Sequence, residues 1–276
     1  MNLDAVKDYK VLLVGDAIID LYQYVRPLGK SIKENTLSVL FDKKSSFRGG
    51  VWAAAEHVKG FCATVEVQKG EGVMWSTRLV DEHYTRKLIT FHERKVESQA
   101  SELHDIRAFD LVIVTDFGYG TLTKELIEKL TKEARFLAVN AQTNSSNFGF
   151  NLITKYPRAD YVVIDEMEAR LAAHDRDGEI EDVILKLGFK NIIVTRGVKG
   201  AVGFDGAFER QGAMTTTIID SMGAGDAFLS ITAPFACAGF TMRDLLRIGN
   251  AAGAIKIGNI GQKAVTKEEL RGRLEH

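Results

Sequence analysis

An excess of either charge is missing from this 276-residue chain, in which 36 Lys and Arg stand against 37 Asp and Glu. The balance excludes the polybasic face that nucleic acid or an anionic membrane surface would demand, so small molecules are the expected partners. Long apolar runs are missing too: none approaches the roughly 18 residues of a membrane span, and the first ten residues lack the apolar core of a signal peptide. A cytoplasmic location with no membrane partner is expected. The two cysteines, Cys62 and Cys237, form no CxxC or Cys/His pattern, and the six histidines do not cluster. They read as reduced core thiols rather than as a metal or redox centre. Neither GxGxxG nor GxxxxGK followed by Ser or Thr occurs, so a dinucleotide fold and a P-loop have no support.

What the chain does have is 45% hydrophobic residues, enough for a sizeable core. Apolar runs at Lys10–Val14, Leu111–Thr115, Arg135–Asn140, Tyr161–Ile164 and Asn191–Thr195 are apolar on consecutive positions, as suits strands covered on both faces. Helix-like segments separate several of them, including Thr123–Arg135, with a threonine cap ahead of an apolar stripe, and Glu179–Leu187. The class is α/β, with a mostly parallel sheet between two helix layers. Polar or glycine-bearing turns follow the strands ("GDAIID", "DFGYG", "NAQTNSSN", "DEMEA", "RGVKG"), where open α/β sheets carry their ligands. Thr36–Phe47 and Thr77–Phe91 alternate apolar and charged residues, which suits either a small one-faced lid, able to pair two copies as a homodimer, or a pair of ordinary edge strands.

Residues 220–228 read DSMGAGDAF, between a strand-like run at Thr215–Ile219 and an apolar helix-like run. Gly223 and Gly225 permit backbone angles that turn successive N–H groups into one cavity, and a following helix adds its positive end. An aspartate beside such an anion hole would repel a phosphate, yet it is well placed to take a proton from a hydroxyl attacking that phosphate. Asp226 reads as that base or as a simple helix cap.

The stretch resembles the C-terminal signature of the ribokinase-like (PfkB) sugar kinases, usually D-T-x-G-A-G-D, with Ser221 in place of threonine. "VGDAIIDLY" is similar to the family's first strand and sugar-contacting aspartate, here Asp20, and "RGGVWAAA" to its glycine pair, here Gly49 and Gly50. "VTRGVKG" and "NAAGAIKIGNIG" resemble the segments around the adenine, which implies nucleotide contacts at Thr195, Arg196, Gly197, Gly200, Asn250 and Gly253. The family's N-x-x-E motif falls on "DEMEA", implying Mg²⁺ organised by Asp165 and Glu168, with Asp replacing Asn. The resemblance implies a three-layer αβα ribokinase-like fold with a small β lid, one kinase domain over residues 1–273, and ATP and Mg²⁺ as cofactors. It implies phosphorylation of a sugar or sugar-phosphate hydroxyl, with Asp226 as base and the amides of Gly223, Ala224 and Gly225 as the anion hole. Asn140, on the amide-rich strand end, is a candidate sugar contact. Within the family the motifs look nearest to the heptose 7-phosphate kinases, including those fused to a nucleotidyltransferase domain. Residues 274–276 resemble the start of a vector-encoded tag, and a longer natural polypeptide is then expected.

Some positions depart from the family pattern. Ala53 stands where an asparagine commonly touches the sugar, and Tyr119 where the heptose-phosphate enzymes carry lysine; Arg48, Arg86 and Lys87 are the candidate replacement cations. The segment 65–78 also lacks the room for a strand and helix that family members insert there. These departures keep open an alternative, a catalytically degenerate domain that binds nucleotide or sugar as a regulatory or assembly module. Pro234 is expected to kink or unpair the helix after Asp226.

Overall fold

Consecutive apolar residues in the first strand serve two cores at once. Val11 and Leu13 pack into one cluster of buried side chains and Leu12 and Val14 into a second, because successive side chains of a strand point to opposite faces. The computed structural model describes residues 1–84, 86–96, 104–215, 217–259 and 261–275. Thr85, Thr216, Ile260 and His276, which belong to segments read above, lie outside the described residues.

The central strands are β1 (Lys10–Lys30), β3 (Thr64–Asp81), β5 (Leu111–Asp116), β6 (Leu137–Ala141), β7 (Tyr161–Asp165) and β8 (Ile192–Thr195). They run parallel in the order β3-β1-β5-β6-β7-β8. Strands β9 (Ala201–Phe204) and β10 (Phe208–Gln211) extend the β8 edge antiparallel. One face is covered by α1 (Val51–Lys59), α5 (Ala224–Cys237), α6 (Met242–Ile257) and α7 (Lys267–Leu274). The other carries α2 (Lys124–Glu133), α3 (Glu166–Ala173) and α4 (Ile180–Leu187). The three-layer architecture expected from the sequence is present. Thr123 caps α2, its Oγ1 accepting from the Leu126 amide at 3.3 Å, and Gly188 ends α4 in the left-handed region.

The main differences from the sequence reading lie in the lid. "GDAIID" is not a turn: β1 continues through it to Lys30 and carries Asp20 out of the core sheet. The extension pairs antiparallel with β2 (Leu37–Gly50) and parallel with the far half of β3. β3 in turn pairs antiparallel with β4 (Lys87–Val96). Thr77–Phe91 is therefore a hairpin, the end of β3 and the start of β4, rather than one strand. The register of β1 against β3 slips between Gly15 and Ala17, opposite Lys69 to Val73, so the "KGEG" glycines absorb the bend from core sheet to lid. β3 runs as one strand from the core into the lid, consistent with the missing strand and helix.

Smaller expectations also change. Among the described residues of Thr215–Ile219 none is in a strand. Pro234 lies inside an uninterrupted α5; having no N–H it cannot donate to the Ser230 carbonyl, while Pro234 O itself accepts from the Ala238 amide at 3.0 Å. Leu274, in the segment that resembles a tag, closes α7 and packs against the core. Cys62 is buried and Cys237 partly so, both as free thiols raised by burial, to about 12 and about 11.

Gly50 joins lid to helix at φ 59°, and a Cβ there would sit 2.2 Å from the Asp16 carbonyl. Gly149 has φ 76° with nothing within 4 Å of such a Cβ. Gly149→Ala is expected to cost about 1–2 kcal/mol from the backbone alone, and Gly50→Ala clearly more because the clash adds to it. Urea unfolding midpoints of the two variants measure the difference.

Candidate active site

Helix α5 starts at Gly223, which takes φ 75° and offers no side-chain cap. The first helical bond is Ala227 N–H to Gly223 O at 2.9 Å, so the first-turn amides have no intrahelical acceptor and keep the positive end of the helix dipole uncovered. They open onto a cavity of about 470 Å³ lined by Gly223, Ala224, Gly225 and Asp226. A Cβ added at Gly225 or at Gly253 would meet nothing within 4 Å. Those two glycines leave room for a ligand rather than for the chain itself.

Asp226 is buried, and Gln142 Nε2 donates to its Oδ1 at 2.6 Å. Burial raises its carboxyl to about 6, although the Gln142 hydrogen bond and the Lys256 charge pull the other way. A carboxyl balanced near neutrality can take up and give back a proton in the working range. Gln142 follows the end of β6, so the amide-rich turn "NAQTNSSN" reaches Asp226 directly. Asn140 lines the same cavity; its Nδ2 donates to Val163 O at 2.7 Å, and its Oδ1 is buried without a partner. Such an orphaned acceptor suits a ligand hydroxyl.

Thr195, Gly197, Gly200, Asn250 and Gly253 line the cavity beyond the glycine turn. Arg196 does not: its guanidinium turns to Glu166, Nε to Oε2 at 2.9 Å, and holds that carboxyl down at about 2. The pair fixes the Arg196 side chain against the start of α3.

Asp165 and Glu168 also line the cavity, locked together as the capping box of α3. Glu168 Oε2 accepts from Asp165 N–H at 2.8 Å and Oε1 from Thr143 N–H at 2.9 Å. Burial, with the neighbouring Asp165 charge, raises the Glu168 carboxyl. Among the described residues no group of three or more His, Cys, Asp or Glu is placed to hold a metal. The hard oxygens of this pair fit a hydrated cation that arrives with phosphates, as Mg²⁺ usually does, rather than a resident one in a protein cage.

Asp20, Gly49 and Gly50 stand on the lid side, outside the cavity lining. A Cβ on Gly49 would come within 2.6 Å of Asp20 Oδ2, so only a glycine lets the β2 backbone pass this close to the buried carboxylate. Asp20 accepts from Arg78 and, at 3.2 Å, from Gln262 Nε2. Arg78 also lies over the Tyr22 ring, and Lys87 pairs with Asp220 at 3.1 Å. Arg78, Gln262 and Lys256 were not singled out in the sequence. Arg78 would have emerged from the strand register alone, since Tyr22 pairs with Arg78 two residues beyond Asp20 with Ser76. Lys256 and Gln262 carry no local signal. Of the expected replacement cations, Lys87 reaches this region and Arg48 stacks on Trp52 instead.

A parallel sheet between helix layers, a lid grown from its own strands and a glycine-rich helix entry together define the ribokinase-like fold. Ribokinase of Thermotoga maritima has the same architecture, with a TM-score of 0.73 over 97% of this chain and 100% of its own at 18% identity. Arabidopsis thaliana ribokinase, solved with ribose and ATP, gives a TM-score of 0.68 over 98% and 99% at 14% identity. Residues 61–269 match the model of the pfkB family of carbohydrate kinases, and the chain belongs to that family. Among its relatives, the bifunctional protein HldE of Desulfatibacillum aliphaticivorans is 25% identical over 311 aligned residues, covering 96% of this chain and 63% of that protein. The HldE of Hyphomonas neptunium is 27% identical over 172 residues, covering 59% and 35%. The chain thus spans between a third and two-thirds of these relatives' length.

A raised Asp226 pKa carries a stability consequence. The unfolded group ionises near 3.8 and the folded one at about 6, so the penalty of burying the charge grows as pH rises between those values and is complete above the folded one. Asp226→Asn is expected to raise the melting temperature at pH 7.5 and to lose most of that gain by pH 4. Scanning calorimetry at the two pH values measures it.

Proposed function

We propose that the protein transfers the γ-phosphoryl group of ATP to a hydroxyl of a sugar or sugar phosphate. The observation that carries this reading is the buried Asp226, poised near neutrality, in the first turn of a helix whose leading amides are uncapped and face a cavity. The acceptor hydroxyl lies between the lid and the glycine turn. Gln142 occupies one Asp226 oxygen, leaving the other to take the hydroxyl proton as the oxygen attacks phosphorus. The amides of Gly223, Ala224 and Gly225 receive the charge that spreads over the phosphoryl oxygens.

Thr195, Gly197, Gly200, Asn250 and Gly253 would receive the nucleoside end, and Asp165 and Glu168 would hold Mg²⁺ through its water shell. When bound, Mg²⁺ neutralises phosphate charge. Asn140 and Asp20 would orient acceptor hydroxyls. Asp20 is held by Arg78, so an acceptor must share or displace that ion pair. Arg78 and Lys87 on the lid strands are paired with Asp20 and Asp220, so an anionic acceptor would share these cations with the carboxylates; heptose 7-phosphate is the candidate that agrees with the HldE relatives. Those relatives' length also supports a natural protein with a second, fused domain, for which a nucleotidyltransferase is the expected kind. Exposed Leu40, Phe41, Ile89 and Phe91 on β2 and β4 support a homodimer formed through the lid. Light scattering at working concentration tests that pairing, and a monomer would remove it.

Mg–ATP-dependent ADP release, measured across hexoses, heptoses and their phosphates, tests the reading. Release that requires one acceptor and falls by about 10²–10⁴-fold in Asp226→Asn is the expected result. Tight Mg–ATP binding with no acceptor-dependent release, unchanged in Asp226→Asn, would instead support the degenerate binding module.

A further inference from the structure

Lys256, in the last turn of α6, is fully buried. Desolvation lowers its pKa, and the nearby negative charges of Asp220, Asp226 and Asp20 support its ammonium. It touches none of them. Its Nζ donates to two backbone carbonyls, Met222 O at 2.9 Å and Gly261 O at 2.5 Å. A buried charge without an ion pair is costly, so its position invites a purpose.

The Met222 carbonyl belongs to the peptide whose N–H is that of Gly223. A trans peptide is planar with C=O and N–H antiparallel, and no described peptide here is cis. An ammonium gripping the carbonyl therefore turns the Gly223 N–H away from Lys256 and increases its polarity. The other side of the turn is fixed as well: Asp220 accepts from the Met222 amide at 3.1 Å and the Gly261 amide at 3.4 Å. Carboxylate and ammonium thus hold the N–H and C=O ends of the same two residues. Lys256 also packs against the turn, since a Cβ on Gly223 would lie 3.1 Å from its Cε.

We propose that Lys256 is a positioning residue, a tethered cation that orients and polarises the Met222–Gly223 peptide so that its N–H serves the transferring phosphoryl group. The inference rests on the kinase reading above. It differs from that reading in assigning a role to a side chain that meets neither nucleotide nor acceptor.

The test compares wild type with Lys256→Met, which keeps the length and loses the charge, and Lys256→Ala, which vacates the space. With wild-type turnover established, Lys256→Met is expected to lose about 10–100-fold in kcat, a fraction of what deleting a whole oxyanion donor costs, while KM for the acceptor changes less than about twofold. n-Propylammonium is expected to restore part of kcat to Lys256→Ala in a saturable way and to raise its melting temperature, with n-propanol doing neither. Full kcat in Lys256→Met, or equal rescue by the neutral alcohol, would overturn the proposal. If either variant is unfolded at assay temperature, the melting curves of Lys256→Ala in the two additives decide: a selective rise with the amine supports the tethered cation and an equal effect overturns it. A wild type without acceptor-dependent turnover would remove the phosphoryl role together with the kinase reading, leaving the grip on the turn to the same melting curves.

Discussion

A carboxylate kept out of water beside a turn of unpaired N–H groups is the constraint around which the rest of this molecule is arranged. Alone, Asp226 would either stay protonated or draw water in. The structure offsets its burial with partial charges: the α5 dipole, the Gln142 amide and the more distant Lys256 ammonium all favour the ionised form, and desolvation still dominates. The same donors create a positive hollow one residue away. On the proposed reading the two needs of phosphoryl transfer, a base and an anion cradle, are met within a single helical turn.

The sheet delivers the other half of the site. Because β1 and β3 do not stop at the core but bend at Gly15–Ala17 and Gly70–Gly72, one pair of strands supplies both the apolar floor and the lid. Asp16 sits at the bend, and its carboxylate accepts from the amides of Phe117, Tyr119 and Thr121 at 3.0–3.1 Å. That fixes the loop after β5 against the hinge of the lid. Asp220 ties the lid to the glycine turn through the Tyr22 hydroxyl at 3.1 Å and Lys87. Lid, glycine turn and the loop after β5 are thereby tied together through the carboxylates of Asp16 and Asp220.

Much of this was legible in the sequence because it rests on local chemistry. Five apolar runs gave five parallel strands, Thr123 announced a cap, and the GAG turn announced a helix entry without a side-chain cap, with Asp226 buried in its first turn. What escaped depends on long-range register. The bend at "KGEG" looks like an ordinary turn until β3 is seen to pair with β1 on both sides of it, and only that pairing brings Arg78 to Asp20. Arg196 looks like a nucleotide contact in its motif but finds Glu166, thirty residues earlier in the chain. Lys256 reads as the polar side of an amphipathic helix, and nothing local says that its ammonium will be enclosed by two carbonyls.

The measurement that bears most directly on this account is the pH dependence of kcat/KM for acceptor phosphorylation at saturating Mg–ATP. A base buried as Asp226 is should give an acid limb with an apparent pKa of about 6. An acid limb at the ordinary carboxylate value near 3.8, or activity that stays level through pH 5, would contradict it and remove Asp226 as the base.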